Sequence, residues 1–126
     1  MKSILLVEDS KFLRLASERA LVRAGFSVVS SDDGERALRE AQAHVPDLIL
    51  LDMLLPKLGG PELLRALKNN PATAEIPVVV LSSLPQKNET TLLKDGATAY
   101  FEKSKFGLDT NSQTLIEVVK KALAHA

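Results

Sequence analysis

The sequence predicts an α/β fold in which a parallel β-sheet carries helices on both of its faces. Five short apolar runs rich in Val, Ile and Leu are too brief for helices and do not alternate with polar residues, so each is expected to be a strand buried on both faces. These runs cover residues 4–7, 26–29, 48–51, 78–81 and 97–101. Amphipathic stretches separate them, and strands that alternate with helices pair in parallel through right-handed crossovers.

Five helices are expected between and after these strands, because apolar residues recur there with a helical period. Gly25 can close the first helix, and Asp32 or Asp33 can cap the second. A fourth helix is expected over residues 86–94 and a fifth over residues 114–124. The apolar positions that define the first, second and fifth helices are Phe12, Leu13, Ala16, Ala20 and Leu21; Ala37, Leu38 and Ala41; and Leu115, Val118, Val119 and Leu123.

Composition and charge narrow the class of protein. A chain of 126 residues suits one domain, residues 1–126, and its sixteen basic and sixteen acidic residues cancel. No long-range field would then attract nucleic acid or an anionic membrane. The absence of cysteine excludes disulfides, thiolate zinc sites and thiol nucleophiles. Since Glu8 and Asp9 also cut the N-terminal apolar run short of a signal peptide, we expect a soluble cytoplasmic protein.

Polar side chains follow the ends of most of the predicted strands. In chain order they are Glu8 and Asp9, Asp52, Ser82 and Ser83, and Lys103. Ligands of open parallel sheets gather beyond the carboxyl ends of the strands, so these carboxylates, hydroxyls and the ammonium are expected to converge. Asp52 is the most informative, because an acid in the middle of an apolar run is costly unless something pairs with it.

Each of these residues also has a purely structural interpretation. Asp9 or Ser10 could cap the first helix, the two serines could be turn hydroxyls, and Lys103 could be a solvated surface charge. Asp32 and Asp33 also follow a strand, but we interpret them only as helix caps because nothing joins them to the other acids.

The expected cluster of acids indicates a divalent cation, because neighbouring carboxylates repel one another unless a cation holds them. Oxygen ligands favour Mg²⁺. Only His44 and His125 could supply imidazole, and neither follows a strand that faces the site, so no zinc or iron centre is expected. A carboxylate nucleophile, a cation, an ammonium and a hydroxyl together match phosphoryl transfer onto Asp52.

Short motifs at the strand ends carry a family resemblance. They are Glu8-Asp9; Asp52-Met53 with Pro56 and Gly60; Ser82 after the run 77–81; and Gly96-Ala97 ahead of Tyr100 and Lys103. In these motifs the chain resembles, over essentially its whole length, the receiver domains of two-component response regulators of the chemotaxis-regulator type. The resemblance implies a flavodoxin-like, doubly wound five-stranded parallel sheet of order 2-1-3-4-5 with five helices.

The resemblance also implies roles for the site residues. Asp52 would be the phosphoacceptor, and Mg²⁺ would be held by Asp9, Asp52 and the Met53 carbonyl, with Glu8 acting largely through water. Ser82 and Lys103 would hold the phosphoryl oxygens. The chain would then be a phosphorelay switch rather than an enzyme, catalysing only its own aspartyl phosphorylation and slow dephosphorylation.

The implied switch couples the phosphoryl group to a partner surface. In this family the hydroxyl, here Ser82, moves toward the phosphoryl group and an aromatic ring, here Tyr100, turns inward behind it. The face formed by the fourth helix, fifth strand and fifth helix is thereby remodelled. The implied partners are a histidine kinase or phosphotransfer protein and an unidentified output protein, and the same face could support a phosphorylation-dependent dimer.

The chain departs from the family pattern at three places. Ser104 stands where the family usually has proline after the lysine, and the segment 105–112 is longer than usual. The two positions that tune phosphoryl lifetime are Leu54 and Leu84, which cannot hydrogen-bond an attacking water. We therefore predict slow spontaneous dephosphorylation. Whether the chain is a stand-alone regulator or a receiver from a longer protein is left open.

Three other classes of protein are alternatives to a receiver domain that is phosphorylated. A flavodoxin-like electron carrier would need a phosphate-cradling first loop, which Glu8 and Asp9 would oppose. A phosphatase of the haloacid-dehalogenase type would need a second acid where Leu54 stands. The third alternative is an interaction module with the receiver fold that is never phosphorylated, against which the complete set of site residues argues.

Overall fold

The computed structural model describes residues 1–52, 58–82, 96–102 and 112–124, and within them the chain forms a five-stranded parallel sheet. The strand order β2-β1-β3-β4-β5 confirms the predicted order. The strands are Ser3–Val7 (β1), Ser27–Ser31 (β2), Leu48–Asp52 (β3), Val78–Ser82 (β4) and Ala99–Glu102 (β5). Every predicted strand is therefore present.

The helices are α1 (Lys11–Arg23), α2 (Gly34–Ala43), α3 (Gly60–Lys68) and a C-terminal helix (Ser112–Ala124). They confirm four of the five predicted helices. The predicted helix over residues 86–94 lies outside the described residues. Among the helices that the structure describes, none has the length and apolar character needed to cross a bilayer.

Two hydrophobic cores cover the two faces of the sheet, because successive residues of a strand point to opposite faces. On one face, Leu5, Val7, Ile49, Leu51, Val78 and Val80 pack against α2 and α3 through Ala37, Ala41, Leu63, Leu64 and Leu67. On the other, Ile4, Leu6, Leu48, Leu50, Val79 and Leu81 pack against α1 and the C-terminal helix through Leu21, Leu115, Ile116, Val118, Val119 and Ala122. Each buried Leu, Ile or Val stabilises this arrangement by about 1.5–3 kcal/mol.

The end of α1 shows how local sequence sets a helix boundary. Gly25 has a φ of 100°, a conformation that glycine adopts without a steric penalty. The Phe26 amide then donates to the Leu21 carbonyl at 3.1 Å, and the Gly25 amide donates to the Val22 carbonyl at 3.0 Å. Phe26 and Leu21 also share a core, which completes a Schellman motif and confirms that Gly25 closes the helix.

Gly96, part of a motif that carried the resemblance, lies against the end of α3. Its φ is 110°, and a Cβ atom there would come within 2.8 Å of Lys68 Cγ. The Lys68 ammonium donates to the carbonyls of Ala74 at 3.0 Å and Ile76 at 2.7 Å. Burial lowers the pKa of Lys68, and nearby Glu75 partly offsets this. The Lys68 side chain thus ties α3 to the segment before β4, and Gly96 leaves room for it.

Two expectations about burial were wrong. The second strand is not buried on both faces, because β2 lies at the edge of the sheet, where Val29 is half-exposed. A run of apolar letters does not encode which strand becomes the edge. Phe12, grouped with the apolar side of the first helix, is 68% exposed, whereas Leu21 on the same helix is fully buried.

Candidate functional site

The parallel register brings the ends of β1 and β3 to the same level. Val7 pairs with Leu51, so Glu8 and Asp52 come next on adjacent strands at the carboxyl edge of the sheet. The strand order also reverses between β1 and β3, which is where ligands bind in open α/β sheets. Glu8 is 5% exposed and Asp52 is 4% exposed, whereas the neighbouring Asp9 faces solvent.

The three acids converge as the sequence predicted. Carboxylate oxygens of Glu8, Asp9 and Asp52 all lie within 4.8 Å of one another. Two of the three side chains are buried, so water screens their mutual repulsion poorly. A cation that bridged them would relieve that repulsion, and this acidic cluster could therefore bind a metal ion.

The turn from β1 into α1 decides between the two interpretations of the acids. Ser10 is the N-cap residue, since its side chain accepts from the Leu13 amide at 3.4 Å. The Ser10 amide donates to Glu8 Oε2 at 3.2 Å, which orients that carboxylate. Because Ser10 caps the helix, Asp9 is not needed as a cap, and its carboxylate joins the acidic cluster instead.

Arg14 is a residue of this turn that the sequence analysis missed. Its Nη1 donates to the Glu8 carbonyl at 2.9 Å and lies 3.5 Å from the Asp9 carbonyl. One signal was available in the sequence. Arginine close to a helix N-terminus opposes the helix dipole, and the first turn of α1 holds no acid to compensate, so another partner was to be expected.

The structure describes only some of the remaining predicted site residues. Ser82 is the last residue of β4 and pairs with Glu102 of β5, so its backbone reaches the same carboxyl edge of the sheet. Tyr100 lies within β5, opposite Val80. Only the backbone is described at these two positions. Met53, Leu54, Ser83, Leu84 and Lys103 lie outside the described residues, as do Ser104 and nearly all of the long 105–112 segment.

The turn from β2 into α2 also carries two successive acids. Asp33 caps α2 and accepts from the Arg36 amide at 2.8 Å, which confirms its interpretation as a helix cap. Gly34 follows in close contact with the chain beyond β3, since a Cβ atom on it would overlap the Leu58 carbonyl. This turn therefore begins a helix and packs against a neighbouring segment.

A comparison with known protein families agrees with the observed fold and with the acidic cluster. Residues 4–119 match the model of the response regulator receiver domain. The chain therefore belongs to the response regulator receiver domain family. Members of this family are phosphoacceptor signalling switches of two-component systems, and this chain is a switch of that class. Receiver domains interact with histidine kinases and with output proteins.

Two individual relatives support this family assignment. Over 114 residues the chain is 45% identical to a gliding motility regulatory protein of Myxococcus xanthus, covering 89% of this chain but only 14% of that protein. It is 32% identical over 127 residues to the polar-differentiation response regulator DivK of Brucella anthropi, covering 99% of this chain and 98% of DivK.

A solved structure supports the same fold. The phosphorylated cyanobacterial phytochrome response regulator RcpA superposes with a TM-score of 0.86 at 35% identity, covering 99% of this chain and 96% of that one. Of the two relatives described above, DivK is about as long as this chain, and the Myxococcus xanthus protein is far longer.

Proposed function

We propose that Asp52 is the phosphoacceptor of this receiver and that Glu8, Asp9 and Asp52 bind Mg²⁺ beside it. The observation that carries the proposal is the convergence of three carboxylates within 4.8 Å at the ends of β1 and β3. Asp52 comes from the strand at the middle of the sheet and is almost fully buried, so its position is well defined. A cluster of this kind is costly without a cation and favourable with one.

The donor set fits Mg²⁺. All three side chains supply oxygen, which hard divalent cations prefer, and their close spacing suits an ion that takes one or two carboxylates directly and keeps several waters. The Met53 carbonyl is a further proposed ligand. When bound, Mg²⁺ supplies charge neutralisation for the phosphoryl oxygens.

The residues of the chain then divide the reaction between them. An Asp52 carboxylate oxygen forms the new bond to phosphorus while the bond between phosphorus and the donor breaks. If the donor is a phosphohistidine, the leaving imidazole nitrogen takes up a proton; if it is acetyl phosphate, acetate leaves as the anion. Ser82 and Lys103 supply a hydroxyl and an ammonium to the phosphoryl oxygens. The chain acts on itself alone, without turnover of a separate substrate.

Phosphorylation would act as a switch through charge. A phosphoryl group adds about −1.5 to −2 charge, which biases a packed surface between two arrangements. Movement of Ser82 and inward rotation of Tyr100 would transmit this change to the face that we expect the predicted fourth helix, β5 and the C-terminal helix to form. That face would bind the output protein or a second copy of the chain. We place this switch in a single cytoplasmic domain, residues 1–126, that receives its phosphoryl group from a histidine kinase or phosphotransfer protein.

Acetyl phosphate with Mg²⁺, followed by intact mass, tests the proposal. The parent chain is expected to gain the mass of one phosphoryl group, and Asp52→Asn is expected to gain none. Asp32→Asn is the matched control, because it removes an exposed acid that caps nothing, and it should be labelled like the parent. An equal adduct on Asp52→Asn, or no adduct on the parent, would contradict the proposal.

The lifetime of the phosphoryl group follows from Leu54 and Leu84. Because neither side chain can position a water, spontaneous dephosphorylation should be slow, and Leu54→Asn should accelerate it by supplying a hydrogen-bonding amide. Release of phosphate from purified phosphoprotein measures this, with Leu54→Met as the apolar control. Equal rates for the parent and Leu54→Asn would rule out the water-positioning argument.

A further inference from the structure

The Arg14 guanidinium contacts the main chain of both N-terminal acids of the candidate cation site. Nη1 lies 2.9 Å from the Glu8 carbonyl oxygen and 3.5 Å from the Asp9 carbonyl oxygen, and the side chain is half-buried. A carboxylate oxygen of each of these two residues also lies within 4.8 Å of a carboxylate oxygen of Asp52. Arg14 thus holds the backbone from which two of the three acids project.

We infer that Arg14 is a positioning residue of the cation site: by bonding the carbonyls of Glu8 and Asp9 it holds their carboxylates in the arrangement that binds Mg²⁺. This rests on the function proposed above. Arg14 would contact neither the cation nor the phosphoryl group and would act only through the turn. The inference adds a residue of α1 to a site otherwise built from strand ends.

Helix formation alone does not explain an arginine at this place. The Arg14 amide donates to the Ser10 carbonyl at 2.8 Å, so the residue lies in the first turn of α1. The positive end of the helix dipole lies there, and a cation is disfavoured by a few tenths of a kcal/mol. The two carbonyl oxygens compensate, because hydrogen bonds from a charged donor are stronger than neutral ones.

The other contacts of the turn show which acid depends most on Arg14. Glu8 is also held at its amide, which donates to the Ser31 carbonyl at 3.0 Å, and at its carboxylate by the Ser10 amide at 3.2 Å. Asp9 is the exposed member of the cluster. Glu8 keeps its contacts with Ser31 and Ser10 when Arg14 is replaced, so the loss of Arg14 should affect Asp9 first.

The loss of positioning and the loss of positive charge predict opposite changes in the Kd for Mg²⁺ when Arg14 is replaced, so the inference can be tested. Removing a cation near the acidic cluster would by itself strengthen the attraction for Mg²⁺. Removing the brace would weaken binding, because the carboxylates would have to be ordered when the ion binds. A purely structural role would lower stability and leave the affinity of the folded protein for Mg²⁺ unchanged.

The experiment titrates Mg²⁺ into the full chain and follows the amide resonances of Glu8, Asp9 and Ser10 by NMR. Arg14→Met is expected to raise the Kd for Mg²⁺ roughly tenfold, as replacing residues that orient metal ligands commonly does. Arg14→Lys should raise it less, because the lysine ammonium can still donate to one of the two carbonyls. Arg19→Met is the matched control on the exposed side of α1 and should stay within about twofold of the parent, since exposed charges are screened.

Urea unfolding without Mg²⁺ separates affinity from stability, and all titrations are run where the variants are folded. An Arg14→Met Kd equal to or below that of the parent overturns the inference. If Arg14→Met does not fold, Arg14→Lys decides in its place: a Kd raised above that of the parent supports the inference, and an equal or lower one overturns it.

Failure of the inference is distinguishable from failure of the proposed function. If the parent and Arg14→Met bind Mg²⁺ alike while Asp9→Asn does not bind, the cation site stands and Arg14 has no part in it. If the parent itself shows no shift at Glu8, Asp9 or Ser10 on adding Mg²⁺, both proposals fall.

Discussion

Two turns at the same edge of the sheet begin with the same chemistry and end with different roles. Each follows a strand, carries two successive acids and leads into a helix: Glu8-Asp9 between β1 and α1, and Asp32-Asp33 between β2 and α2. In the first turn a serine caps the helix and the acids join Asp52. In the second the acid itself is the cap.

Two features account for this difference: the capping residue Ser10 and the places of β1 and β2 in the sheet. Ser10 extends the first turn by a capping side chain, so neither acid before it is needed by α1. The first turn also follows β1, an interior strand that pairs with β3, whereas the second turn follows β2, which lies at the edge of the sheet. The acidic pair of the first turn is a candidate metal site because Ser10 caps the helix and Asp52 lies at the end of the adjacent strand β3.

The largest expected difference between the turns is in cation binding. Asp9→Asn removes one carboxylate ligand and should weaken Mg²⁺ binding by at least about a hundredfold, more than the loss of an orienting partner commonly costs. Asp32→Asn, which removes the exposed acid of the second turn, should leave the Kd unchanged. NMR titration with Mg²⁺ compares the two variants directly. If both lose affinity equally, a general field of the acidic edge binds the ion and the proposed site is wrong.

Sequence reasoning separated these turns correctly, although it could not see everything that distinguishes them. The acids were found because a carboxylate at the end of an apolar strand is conspicuous. Asp32 and Asp33 were both interpreted as helix caps, which is confirmed for Asp33, whereas Asp32 is exposed and is not the N-cap of α2. Arg14 was missed because its partners are main-chain carbonyls, and whether a side chain one turn into a helix reaches them depends on the path of the turn.

The exposure of β2 was missed because burial was judged from the apolar run alone, although the strand order implied by the resemblance places β2 at the edge of the sheet. Each apolar run carries information about its own strand, whereas the place of that strand in the sheet depends on all the crossovers together. Phe12 shows the same limit on a helix: its apolar character is plain in the sequence, but the direction in which α1 presents it is set by packing. The meeting of the polar strand ends was therefore predictable from a general rule of parallel sheets, whereas the position of each strand in the sheet came from the family resemblance.

The packing role of the second turn gives the next largest effect. Gly34→Ala would place a methyl group against the Leu58 carbonyl, so either α2 or the segment that contains Leu58 must shift. The expected loss of stability is about 1–3 kcal/mol, the usual cost of forcing extra volume into a packed contact. Urea unfolding measures it. Ala is the better helix former, so a stabilised Gly34→Ala variant would show that the close contact can relax at no cost.

The smallest effect concerns the residues that end the two strands, Val7 and Ser31. They are paired neighbours, but Val7 is apolar, whereas the Ser31 hydroxyl is buried and has no hydrogen-bond partner among the residues that the structure describes. An unsatisfied buried hydroxyl costs stability, so Ser31→Ala should be neutral or stabilise the fold by up to about 1 kcal/mol. The matched variant Ser30→Ala removes a hydroxyl that donates to Glu18 Oε2 at 3.2 Å and should be neutral or slightly destabilising. Urea unfolding of both compares them, and a clear loss of stability in Ser31→Ala would mean that this hydroxyl is satisfied in solution.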